Sequence, residues 1–153
     1  MKDITLRKKD FSLSNIKPNT INDIILKSMY ITFGLLSSRG TILGRYFPFG
    51  LSLIAASPES QTIYSLIGAI IGYIFQVNTS SSVRYISTAI AIAAIKWTLS
   101  ELKYIKNHRL YIPLLTFIPT FFTGMALNSI VDGFDYSDVT ISLIEATFAS
   151  VSA

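Results

Sequence analysis

An all-α fold, a polytopic transmembrane helical bundle of five to six spans, is what this sequence predicts, on three observations. Leu110 to Val131 is a run of twenty-two residues without a charged side chain; at about 1.5 Å of rise per residue it reaches about 33 Å, the thickness of a bilayer's hydrocarbon core. The run belongs to a series, because Ser60 to Val83 is also free of charge and Tyr85 to Ile95 forms a third such block. Finally, 50% of the residues are hydrophobic and only 14% are charged, and a chain of 153 residues makes one small domain with no interior able to hide several such helices from water.

Residues 1–23 form a basic, polar leader, from Met1 to Asp23. No apolar stretch with a small-residue cleavage site stands there, so the leader reads as a retained cytoplasmic tail. Cysteine is absent, which excludes disulfide scaffolds, thiolate metal sites and thiol nucleophiles. The net charge of +4 comes from basic residues gathered in two short places, and these make sense as topology signals for a partner that is a lipid bilayer, with no nucleic acid and no small-molecule substrate expected.

The multi-span region takes up residues 24–153. Its apolar segments are Ile24 to Ser38, Tyr46 to Ala56, Thr62 to Val77, Arg84 to Leu99, Leu110 to Val131 and a last one from Val139. Arg7, Lys8, Lys9 and Lys17 in the tail, and Lys103, Lys106 and Arg109 in the loop from Glu101, should both face the cytoplasm, so an even number of crossings separates them. Treating Ile24 to Ala56 as a hairpin of two helices satisfies that parity; treating it as one helix does not. The same weave puts Asp132, Asp135 and Asp138 outside and makes Pro58, Glu59 and Ser60 a tight cytoplasmic turn. Val139 to Ala153 supplies fewer than the roughly twenty residues a crossing needs, so the native polypeptide is expected to continue past Ala153.

Within lipid, close backbone contact through small residues replaces the expulsion of water as the packing force. Gly68 and Gly72, four apart, meet that need on the third segment, and Ser87, Ala91 and Ala94 offer a matching strip on the fourth. Pro113 and Pro119 predict a bend in the fifth segment, with Thr116 and Thr120 near enough to satisfy freed carbonyls. Glu145 lies seven residues past Asp138, about 10 Å into the last helix, where a carboxylate must be paired, protonated or wet. Arg39 is the expected partner, Arg84 the other candidate. Lys27 and Lys96 stand near cytoplasmic helix ends and are expected to extend toward headgroups, and His108 reads as a solvated loop residue. No phosphate-cradling glycine loop, nucleophile with a base, or paired carboxylate motif is present, so the chain carries no catalytic, cofactor or metal site of its own.

From Gly34 to Leu51 the sequence runs Gly-Leu-Leu-Ser-Ser-Arg-Gly-Thr-Ile-Leu-Gly-Arg-Tyr-Phe-Pro-Phe-Gly-Leu, with Arg39 nine residues before Pro48, Phe49 and Gly50. This resembles the start of the membrane region of stage II sporulation protein E, SpoIIE, in which a glycine-led apolar helix ends in arginine and a Pro-Phe pair opens the next helix. Ile67 to Phe75 and Phe134 to Ala149, including Glu145, are similar in looser form. Ser38 stands where that family typically has glycine, and Arg45 where an acidic or neutral residue is usual. Physically, proline suits a helix start, where its missing N–H is not needed, and an adjacent aromatic ring suits the membrane interface.

The resemblance implies a role. In that family ten spans tether a C-terminal PPM-type serine/threonine phosphatase, which uses manganese or magnesium, to the membrane of the asymmetric division septum in endospore-forming bacteria. There it releases sigma factor F by acting on a phosphorylated anti-anti-sigma factor. The implied role of this chain is anchoring, septal localisation and self-association, in contact with division-septum proteins, and it is not itself an enzyme. The competing class is a fragment of a small transporter or channel, with the bent fifth helix and Glu145 in a polar path.

Overall fold

The computed structural model describes residues 18–42, 45–76, 79–100, 102, 110–131, 133 and 135–153. The basic residues of the tail, the loop residues 103–109 with His108, and Asp132 lie outside the described residues. Among those described, six α-helices follow one another: α1 (Pro18–Ser38), α2 (Phe49–Ala56), α3 (Thr62–Ile74), α4 (Thr79–Leu99), α5 (Tyr111–Val131) and α6 (Tyr136–Val151). A two-residue antiparallel ladder, β1 (Thr41–Ile42) with β2 (Arg45–Tyr46), joins α1 to α2, with Thr41 opposite Tyr46 and Ile42 opposite Arg45. A 3₁₀ turn over Glu59–Gln61 joins α2 to α3.

Helix α1 includes Pro18 and so extends ahead of the expected Ile24. The extra turns bring Asp23 within 2.5 Å of Lys27, one helical turn on. The expected hairpin of Ile24 to Ala56 is present as two helices, but α2 is only eight residues long. Helix α4 starts at Thr79, so Arg84 falls inside it and not at its boundary.

Small residues set the closest contact. Gly34 of α1 lies against the backbone of Ser65 and Ala69 in α3, while Gly68 faces the carbonyl of Ile31 and Gly72 faces Leu35 and the Ser38 side chain. A Cβ on Gly34 would stand 2.5 Å from the Ser65 carbonyl oxygen, so the seam admits no side chain. The glycine strip of the third segment therefore seats α1. Helices α3 and α4 also pack side by side, but through Tyr73 and Tyr85, whose ring centroids are 5.3 Å apart. Of the strip expected on α4, Ser87 and Ala91 are half-buried and Ala94 is exposed; the buried stripe is Tyr85, Thr88, Ala89, Ile92, Ala93 and Lys96, at the spacing of one helix face.

Helix α2 lies at the centre, touching α1, α3, α4, α5 and α6. Leu51 and Ile54 are fully buried there, alongside Tyr73, Ala89 and Ile92. Its first turn meets Ser38 and Tyr73 through Gly50, and its last turn meets Lys96. Arg84 near the start of α4 reaches Asn128 near the end of α5, and Asn128 reaches Asp138 near the start of α6. Consecutive helices thus alternate in direction, with the Pro58 turn, the end of α4 and the start of α5 gathered at one end.

Candidate functional site

Charged and amide side chains act inside the bundle at three places, each joining one helix to another. The first is Glu145, near the middle of α6. Its Oε1 accepts from Arg84 Nη2 at 2.6 Å and from the Tyr85 hydroxyl at 2.9 Å, both on α4. The side chains of Arg84 and Glu145 are 11% and 13% exposed, so water screens the pair little and either ion alone would be left with an uncompensated charge. Arg84 extends the network: Nη1 donates to Asn128 Oδ1 at 3.3 Å, and Asn128 Nδ2 donates to Asp138 Oδ1 at 3.2 Å. One string of polar groups thereby ties α4, α5 and α6. The partner expected for Glu145, Arg39, is an exposed residue immediately after α1; the guanidinium within reach is Arg84, because α4 and not α1 faces α6 at this level.

The second is Lys96, 4% exposed. Its Nζ donates to the carbonyls of Ile54 at 2.9 Å and Ala55 at 3.0 Å, and to the carbonyl of Ser57. These are carbonyls at the end of α2, which have no helical N–H to accept from. Lys96 does not reach for headgroups as expected from its place near a helix end; the short α2 stops inside the protein and draws the ammonium inward. The third is Gln76, whose Nε2 donates to the Ser38 carbonyl at 2.8 Å, at the end of α1. Ser52 of α2 acts likewise on α6, donating to the Ala149 carbonyl at 2.7 Å. Side chains of neighbouring helices thus meet backbone groups that water would satisfy elsewhere.

The remaining candidates take structural places. Pro48 is the N-cap of α2, one residue before its first turn, and Phe49 is half-buried with its ring against Gly40. The Phe47 ring carries the contact onward, 4.9 Å from Phe148 of α6. Pro113 falls in the first turn of α5, where no N–H is missed, while Pro119 is inside it. Thr116 and Thr120 donate to the carbonyls of Ile112 and Thr116, not to that of Leu115, whose helical donor Pro119 removes. Asp135 caps α6, accepting from the Ser137 hydroxyl at 2.7 Å; this bond and the Ser137 N–H hold its carboxyl below the usual carboxylate range. Beside Lys96 a cavity of about 570 Å³ opens between the α2–α3 turn and the start of α5. Among the described residues no three His, Asp or Glu side chains gather to hold a metal.

Residues 4–152 match the sequence pattern of the family described as SpoIIE, N-terminal domain. The chain belongs to that family. The match covers nearly all of the sequence, well beyond the short Gly34 to Leu51 stretch that carries the most specific likeness. This SpoIIE-type region is the membrane-anchoring N-terminal part, separate from the phosphatase domain, and no catalytic domain lies in this chain. No curated protein and no solved structure gives a significant match. By length and composition one helix among the described residues, Tyr111–Ile130, is apolar enough to cross a membrane.

Lys96, Tyr85, Asn128, Ser52 and Gln76 were not singled out in the sequence as interhelical partners. Their one visible signal is that Lys96 and Arg84 interrupt otherwise charge-free segments twelve residues apart on one helix. A carbonyl at a helix end leaves no mark on the distant residue that serves it.

Proposed function

We propose that this chain anchors a sporulation phosphatase of the SpoIIE type, its helices crossing the bacterial cell membrane as a multi-pass weave with a cytoplasmic N-terminus, and that it targets the protein to the division septum and self-associates there. The observation that carries this reading is the family match across residues 4–152. By that relationship the downstream PPM-type phosphatase, with its manganese or magnesium, would be tethered at the septum where sigma factor F is released, and septal proteins would be its partners.

The distribution of side chains supports the membrane part. Ile74, Phe75, Phe122, Ile130 and Val151 are exposed, while Ser38, Thr62, Ser65 and Ser142 are fully buried. A water-soluble domain sorts its residues the other way. Hydroxyls inside and large apolar groups outside suit a lipid surround, and Ser38, Thr62 and Ser65 offset their burial by donating to carbonyls three or four residues back, as Thr88 does to the Arg84 carbonyl at 2.8 Å. Helix α2, eight residues long, is enclosed by the others and, together with the β1–β2 ladder before it, makes the return pass between α1 and α3 that keeps the count of passes even.

Glu145, the residue that would line a polar path in a transporter, is tied to Arg84 and Tyr85. The test is to express the chain fused to a fluorescent protein in a sporulating bacterium. Signal at the asymmetric septum is expected, in a fraction that stays with membranes through an alkaline wash. An even distribution around the cell would defeat the targeting role, and release by the wash would defeat the anchoring role.

A further inference from the structure

The end of α2 has the features of a cation site. Its carbonyls, from Ile54, Ala55 and Ser57, converge on one point and are joined by the Ser57 hydroxyl at 3.5 Å from that point. The residues supplying them are buried. A helix C-terminus also carries partial negative charge, which concentrates in its last turn. Three carbonyl oxygens match the three N–H groups of a primary ammonium, which has donors and no acceptor. In the structure the point is held by Lys96 Nζ.

We propose that this carbonyl cluster is a binding site for one primary ammonium ion, that the chain fills it from within using Lys96, and that this occupancy keeps the short central helix α2 docked on α4. The side chain behaves as a tethered ligand: α4 supplies the tether, α2 the receptor. Shape supports the assignment, because a planar guanidinium presents its donors in a fork and does not converge them on a point. Access supports it too. The cavity of about 570 Å³ that reaches Lys96 is lined by Ser57, Pro58, Glu59, Tyr111 and Ile112, and it is wide enough to admit a small amine once the lysine stem is gone.

The experiment is chemical rescue of the full chain in detergent micelles, followed by thermal unfolding. Lys96→Ala is expected to lower Tm by roughly 5 °C or more, and ethylammonium chloride should restore part of that loss in a concentration-dependent way. Tetramethylammonium at the same ionic strength, having no N–H, should restore nothing, and the unaltered chain should show no shift with either salt. Lys96→Met, which keeps the apolar stem and fills the space, should be destabilised and should not respond. If Lys96→Ala cannot be recovered folded, it is extracted in each salt in turn; recovery with ethylammonium alone supports the site. Equal recovery or equal failure in the two salts, equal stabilisation of the variant by both, or a Lys96→Ala chain as stable as the original, would each overturn the proposal.

Discussion

Glu145 shows how a single side chain can decide which helices meet. Its carboxylate accepts from Arg84 and from Tyr85, and removing one member of such a buried pair strands the other, at a cost of about 3–5 kcal/mol. Glu145→Gln and Arg84→Gln are each expected to destabilise the bundle by amounts of that order, and the double variant by clearly less than their sum, with a coupling above about 1 kcal/mol. Arg39→Gln combined with Glu145→Gln should add to within about 0.5 kcal/mol, since Arg39 is exposed elsewhere. A double-mutant cycle on thermal or denaturant unfolding in micelles measures both, and coupling to Arg39 alone would refute the assignment. The sequence made Glu145 conspicuous because a carboxylate deep in an apolar helix must be answered. It left two arginines open as the answer, because the pairing depends on which helices adjoin, and no local pattern records that.

Among the elements, the contact between α1 and α3 is the least forgiving. Its backbones approach through Gly34, Gly68 and Gly72, and a Cβ at Gly68 would run into the Ile31 main chain, which cannot rotate away as a side chain would. Gly68→Ala is expected to cost about 1–3 kcal/mol. Ala94→Leu, on the exposed side of α4, should be neutral to within about 0.5 kcal/mol. Those two variants separate the observed seam from the alternative in which the small residues of α4 receive the glycines; a harmful Ala94→Leu with a harmless Gly68→Ala would reverse the conclusion. The glycine spacing was readable as a packing face. Its partner was not, because the central α2 lets a helix that is not adjacent in sequence lie alongside α3. Helix boundaries were legible to within a few residues for α5 and α6, where turn residues and the Asp135 cap stand at the ends. They were less so for α4, whose polar first turn, Thr79 to Ser82, gave no apolar signal.

At the scale of the molecule, alternating helix directions gather Pro58, the end of α4 and the start of α5 at one end of the bundle and the end of α5 with the start of α6 at the other; the orientation read from charge proposes that the first end faces the cytoplasm. Because the chain lacks cysteine, that arrangement can be tested with single introduced thiols. Asn107→Cys should be protected from a membrane-impermeant thiol reagent in intact cells and become reactive after permeabilisation, whereas Ser137→Cys should label at once. Reaction of both, or the opposite pattern, would rule out the proposed orientation. Composition was enough to announce helices and apolar surroundings; it was not enough to reveal that the middle of the bundle is occupied by an eight-residue helix rather than by another full-length one.

The hydroxyls that line the bundle have a bearing on how it comes apart. Thr88, Thr120 and Thr123 each donate to a carbonyl one turn back on the same helix, so a helix drifting free of its neighbours takes those bonds with it and exposes little hunger for water. Separation is resisted instead by what passes between helices: the glycine groove, the apolar side chains packed around α2, the hydroxyl contacts of Ser52 with Ala149 and of Thr88 with Thr123, and a few long polar side chains, Arg84 and Lys96 above all. In a bilayer, helices bonded within themselves would outlast their assembly, so loss of far-ultraviolet helical signal should lag behind loss of the assembled form.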